Sequence, residues 1–181
     1  PEGQARGPDP QTASGAILTT NYHVKRIEDL SASERDAWLS IHDSGQAFAS
    51  PYFHPEFSAA VAAVHNDVRV TVLESGGRAV GFFPFQRGRF GAGKPVGGPL
   101  SDFHGVVIEP GASWNASDLL RGSGLSVWSF DHLIAGQEGF AAQRTAEHRS
   151  PTIDVSQGYE AYIAGRRAEG SKQILKTEGL G

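Results

Sequence analysis

From about residue 21 onward, short apolar periods alternate with clusters of glycine, proline and small polar residues, and the period changes from segment to segment. Tyr22, Val24 and Ile27 suggest a first strand. Ser31-Ala32-Ser33-Glu34 then has the form of a capping box, in which the serine and glutamate side chains satisfy each other's backbone amides. The helix it opens carries Trp38, Leu39 and Ile41 toward a core, and Asp43-Ser44-Gly45 ends it. A second helix opens after Ser50-Pro51-Tyr52-Phe53-His54-Pro55, with proline where a missing amide does no harm. Phe57, Ala60, Val61 and Val64 recur along it at helical spacing, and it stops near His65-Asn66. Val68, Val70 and Val72 alternate with Arg69 and Thr71, which predicts a strand with one buried and one wet face. Ser75-Gly76-Gly77-Arg78 is a hairpin turn signal, and Ala79 to Phe85 is the returning strand, with Pro84 expected at an edge or a bulge.

Further on, Gly105 to Ile108 predicts a strand and Asn115-Ala116-Ser117-Asp118 the start of a short helix that Gly122 and Gly124 terminate. Leu125, Val127, Trp128 and Phe130 predict another strand, residues 151–155 a last short one, and residues 159–175 an amphipathic helix with Arg166, Arg167, Lys172 and Lys176 on its wetter side. Strands and helices in this order predict an α/β or α+β fold, a mixed and largely antiparallel sheet flanked by helices. Residues 1–20 read as a disordered tail, because their proline, glycine and small residues offer little apolar surface to offset ordering. Residues 21–181 read as one domain.

The 181 residues suit a single domain, and 39% hydrophobic with 20% charged is an ordinary globular balance. A net charge of -4 gives no pull toward nucleic acid or an anionic membrane. No apolar run approaches the ~20 residues that cross a bilayer, so no membrane span is expected and the cytoplasm is the expected compartment. With no cysteine, thiolate chemistry, disulfides and cysteine zinc sites are excluded. Methionine is also absent, even at position 1, which fits either processing or a cut from something longer.

Gly88-Arg89-Phe90-Gly91-Ala92-Gly93-Lys94 matches the letters of a phosphate-binding loop, but Pro95 follows where such a loop has serine or threonine and a helix. It reads as a strand-to-strand loop. The seven histidines show no pair at helical ligand spacing with a nearby glutamate, so no metal is expected. Gly122-Ser123-Gly124 lacks the spacing of a serine nucleophile elbow. The densest chemistry lies at 94–108, where Lys94, two prolines and the pair Gly97-Gly98 precede Ser101, Asp102, Phe103 and His104. An ordinary turn is one reading of that stretch; a stiff bend that brings backbone close to a ligand is the other. Asp102 and His104 are two apart and would share a strand face, whereas Asp131 and His132 would point to opposite faces. Tyr52, Phe53 and Phe57 are core residues or the wall of a ligand groove.

Four stretches taken in order, Ser50-Pro51-Tyr52-Phe53, Val80-Gly81-Phe82-Phe83-Pro84-Phe85, Val96-Gly97-Gly98-Pro99-Leu100-Ser101-Asp102-Phe103 and Ser171-Lys172-Gln173, resemble the N-terminal half of the CelD-like acetyltransferases. These belong to the GNAT superfamily, are linked to exopolysaccharide biosynthesis and are similar to Fem-type transferases. The resemblance spans roughly residues 22–181. Its most specific piece is the bend from Val96 to Phe103, where the family usually has tyrosine in place of Phe103. The resemblance implies two GNAT-like halves side by side, the second holding most of an acetyl-CoA or other acyl-CoA site. Arg121-Gly122-Ser123-Gly124-Leu125-Ser126 ends in serine and precedes a strand, so it is not the family's pyrophosphate loop.

The expectation that follows is the N-terminal fragment of an N-acyltransferase that moves an acyl group to an amine of a sugar or envelope precursor. Such a reaction needs a carboxylate or imidazole to take the amine's proton. Asp102 and His104 are then the catalytic candidates, and Lys94, Gly97, Gly98, Ser101, Phe103 and Tyr52 the substrate-binding ones. The expected partners are the small-molecule or sugar-precursor acceptor and the missing C-terminal half, without which the fragment would be inactive. The competing expectation is a non-catalytic GNAT-like binding or structural module.

Overall fold

The computed structural model describes residues 19–151 and 153–170. The chain divides into two compact units, Pro1–Gln143 and Arg144–Gly181. In the first, six strands form one mixed, mostly antiparallel open sheet flanked by helices. Strands β1 (Asn21–Lys25), β2 (Val68–Ser75), β3 (Arg78–Arg87), β4 (Ala92–Lys94) and β6 (Val127–Trp128) follow one another across it, and β5 (Val107–Ile108) also pairs with β3. All pairs are antiparallel except β4 with β6.

The capping box forms as the sequence predicts. Helix α1 (Ala32–Asp43) is capped by Ser31, whose Oγ accepts the Glu34 N–H at 3.2 Å while the Glu34 carboxylate accepts the Ser31 N–H at 2.8 Å. Its Trp38 stacks on Phe82 of β3 with ring centroids 4.9 Å apart, and the indole Nε1–H donates to the Phe53 carbonyl at 2.9 Å. Helix α2 (Pro55–Ala62) begins on proline, as expected, but its buried face differs from the predicted one. Ser58 is buried and Ala59 and Ala62 pack on the core, while Val64 is 78% exposed just past the helix end.

The hairpin turn is Gly76-Gly77 with φ of 59° and 79°, the positive values that a two-residue type I′ connection needs at both positions. The wet face predicted for β2 is not wet. Val70 and Val72 pack with Trp38, Ile41 and Phe82 on one side of the sheet. Leu73, Phe83 and Phe85 pack on the other with Trp128, Phe140 and Leu119 of helix α3 (Ala116–Gly122), and buried Thr71 bonds the Ser123 hydroxyl at 2.6 Å. Layers on both sides of the sheet therefore replace the half-solvated strand that alternation alone implies. A bulge opposite Leu73 and Glu74 leaves Val80 as the extra residue of β3, which accounts for Val80 joining the same cluster as Phe83 rather than that of Phe82.

Asn115 caps α3 with its side chain accepting the Asp118 N–H at 2.9 Å, as its sequence signal predicts. The later strands are shorter than predicted, two residues each in β5 and β6. Pro84 falls between the two partners on one edge of β3, since β5 pairs Gly81 and Phe82 while β4 pairs Gln86 and Arg87. A residue without an amide suits that unpaired step in the ladder. In the second unit, helix α4 (Tyr159–Ala168) is the one regular element among the described residues, ending well short of the predicted 175 with Gly170 at φ 71°. No strand forms among the described residues of 151–155. The predicted tail up to residue 18 and Ser171-Lys172-Gln173 lie outside the described residues.

Candidate functional site

The bend after β4 is built by Gly97 and Gly98, with φ of 83° and 50°, which lead through a single turn of 3-10 helix (Gly98–Leu100) to Ser101. Both positions lie in the left-handed region that side chains disfavour. A Cβ on Gly97 would also stand 2.8 Å from Cζ of Phe57, so the bend is pressed against the aromatic that follows Pro55 and Glu56. The Gly97 N–H donates to Gln86 Oε1 at 3.0 Å and the Gly98 N–H to the Pro95 carbonyl at 3.2 Å. The amides of these two substrate-binding candidates therefore already have acceptors within the protein. Lys94 is exposed at the end of β4, opposite Gln86.

Asp102 and His104 do not form the expected pair. Asp102 is exposed, and its charge is the weakest of those acting on His104. His104 is buried, with its side chain 2% exposed. Its Nε2 lies 2.9 Å from the Ser101 carbonyl, which can only accept, so Nε2 carries the proton. Nδ1 then holds the lone pair and accepts the His132 N–H at 3.3 Å. The carboxylate beside it is that of Asp131, at 3.4 Å from Nδ1, and the same Oδ1 lies 3.1 Å from His132 Nδ1. Asp131 and His132 thus converge where strand alternation would separate them, because the chain bends there instead of continuing β6.

Burial disfavours the His104 imidazolium and holds its pKa below the usual histidine value, although the Ser101 carbonyl and the Asp131 carboxylate pull the other way. The hydrogen bond from His132 holds the Asp131 carboxyl below the usual carboxylate range. Backbone bonds complete the junction: His104 N–H donates to the His132 carbonyl at 2.8 Å and Ile134 N–H to the His104 carbonyl at 3.0 Å.

Tyr52, Ser101, Phe103 and His104 are brought together around a cavity of about 20 Å³, whose walls also include Pro84, Pro95 and Trp128. That volume accommodates one water molecule. Tyr52 and Phe103 stack over it with centroids 6.3 Å apart, and Ser101 Oγ donates to the Phe103 carbonyl at 3.1 Å. Gly97, Gly98, Lys94 and Asp102 do not line it. Trp128, Asp131 and His132 are the residues that sequence reasoning left out of the site. The adjacency of Asp131 and His132 is the sequence signal for them, and it holds only where the chain is not a straight strand. Among the described residues no group of three histidine, aspartate or glutamate side chains is arranged to hold a metal ion, and no helix is long and apolar enough to cross a membrane. No family model, curated protein or solved structure matches this chain.

Proposed function

We propose that the Pro1–Gln143 unit acts as a non-catalytic, GNAT-like binding or structural module and does not by itself transfer an acyl group from acyl-CoA. One observation carries this reading: both ring nitrogens of His104 are engaged by backbone groups, at 2.9 Å and 3.3 Å, beside a space of about 20 Å³. A base for amine acylation has to reach the attacking amine, and a thioester has to fit beside it. Of the two catalytic candidates, His104 joins two segments of the chain instead, and Asp102 is exposed and does not line that space.

The acyltransferase reading keeps one observation of its own. His132 is 56% exposed, and with Nδ1 held by Asp131 its Nε2 is the nitrogen left to accept a proton from solvent-side chemistry. The two readings separate on titration calorimetry of the purified chain with acetyl-CoA, followed by an amine-dependent assay of thiol release. The module reading expects no release with any amine acceptor. Release that is abolished in His132→Gln, or in Asp102→Ala, overturns it.

A further inference from the structure

His104 sits at a junction of two segments distant in sequence, and the three distances around its ring define alternative partners for one atom. In the neutral ring Nε2–H is committed to the Ser101 carbonyl at 2.9 Å, and Nδ1 accepts the His132 N–H at 3.3 Å. A second acceptor stands ready on the Nδ1 side, since Asp131 Oδ1 is 3.4 Å away. That oxygen is shared, lying also 3.1 Å from Nδ1 of His132. A protonated Nδ1 has no lone pair. It cannot keep the His132 amide as donor, but it can donate to the carboxylate.

We propose that His104 is a one-proton partner switch: on protonation its Nδ1 exchanges the His132 N–H for the Asp131 carboxylate, drawing that carboxylate from the His132 imidazole. The proton comes from solvent and forms the Nδ1–H bond; no other covalent bond changes. Every group that faces the ring has a part in the balance. Asp131 and, more weakly, Asp102 favour the imidazolium; a protonated His132, with ring centroids 5.9 Å apart, opposes it; the Ser101 carbonyl accepts in both states. Tyr52 shares the adjacent cavity from the other wall. Burial sets the balance toward the neutral ring, so the exchange belongs below the pH at which an ordinary histidine titrates.

The switch is local by construction. The bonds from His104 N–H to the His132 carbonyl and from Ile134 N–H to the His104 carbonyl use no ring atom, so the segment stays attached while the His132 amide is released. Asp131 is 76% exposed, so replacing it removes the second partner without disturbing a packed side chain.

The test is long-range proton–nitrogen NMR of the histidine rings of the 15N-labelled chain from about pH 8 down to about pH 4, with amide hydrogen exchange measured alongside. On acidification Nδ1 of His104 gains its proton, and the His132 amide, corrected for intrinsic rate, exchanges about tenfold faster as its acceptor is lost. The Ile134 and Val107 amides stay protected over the same range. In Asp131→Asn the ring takes up its proton at a lower pH and the His132 amide stays protected further down. Three results overturn the proposal: Nδ1 that stays unprotonated until the chain unfolds, Nδ1 that titrates without any change at the His132 amide, or loss of protection at His132, Ile134 and Val107 together.

Discussion

Gln86 Oε1 accepts the Gly97 N–H at 3.0 Å, so the bend that carries the candidate residues is tied to β3 by a side chain and not only by chain connectivity. The other end of the same amide donates from Nε2 to the Asp67 carboxylate at 3.0 Å. Gln86 is 4% exposed, so its loss leaves a partly buried donor at Gly97 without an acceptor. Gln86→Leu is expected to destabilise the protein by about 1–3 kcal/mol, read from the urea midpoint. Hydrogen exchange at the Gly97 amide should rise by more than the global loss alone produces.

Gly97 and Gly98 separate two causes of strain. Both have positive φ, but a Cβ on Gly97 meets Phe57 at 2.8 Å whereas one on Gly98 meets nothing within 4 Å among the described residues. Gly98→Ala is expected to cost about 1–2 kcal/mol, the backbone penalty alone. Gly97→Ala should cost measurably more in the same denaturation experiment, and Phe57→Ala in that background should recover part of the difference.

The Ser31 cap offers a plainer measurement. Ser31 Oγ accepts the Glu34 amide at 3.2 Å, and Ser31→Ala removes that acceptor at the head of the helix bearing Trp38. A loss of about 1 kcal/mol is expected, with the circular dichroism of the folded state unchanged.

Two tryptophans differ in one hydrogen bond. Trp38 Nε1–H donates to the Phe53 carbonyl, while Trp128 Nε1 is buried with no acceptor among the described residues. Trp38→Phe strands a buried carbonyl; Trp128→Phe strands nothing of the kind. Trp38→Phe is therefore expected to lose about 1–2 kcal/mol more than Trp128→Phe when both are measured by chemical denaturation.

His104 makes stability depend on pH with a definite sign. Its folded pKa lies below the ordinary 6.5, so the unfolded chain takes up this proton first as the pH falls. Its contribution is complete above about 6.5 and declines from there down to the folded pKa, where it levels off. Glu34 acts lower on the scale: burial opposes its ionisation, but hydrogen bonds from Lys25 and Ser31 hold it below 4.5. The urea midpoint of the wild type should fall on mild acidification in that upper window, and His104→Gln should flatten the slope there while leaving the lower one.

What the sequence disclosed was local. The Ser31 and Asn115 caps and the Gly76-Gly77 turn each depend on residues a few positions apart, and each formed where its signal lay. The second buried face of β2 depends on Leu119, Trp128 and Phe140 arriving from later in the chain, which no period within Val68–Ser75 encodes. Helix α2 turns inward a face other than the one its apolar spacing implies, because Ser58, small and polar, occupies the position that faces the core. Strand alternation would join Asp102 to His104 and part Asp131 from His132, a rule that lapses once the backbone bends. The true carboxylate neighbour of His104 comes from the other side of an isolated bridge between His104 and Leu133.

The interrupted edge of β3 also has a mechanical meaning. At Pro84 the ladder passes from β5 to β4 with no bond between, and the small void at the candidate residues touches that same proline. Tension applied to β5 reaches β4 both through β3 and through the His104–Leu133 bridge that leads back to β6, so that bridge closes the gap the proline leaves in the ladder.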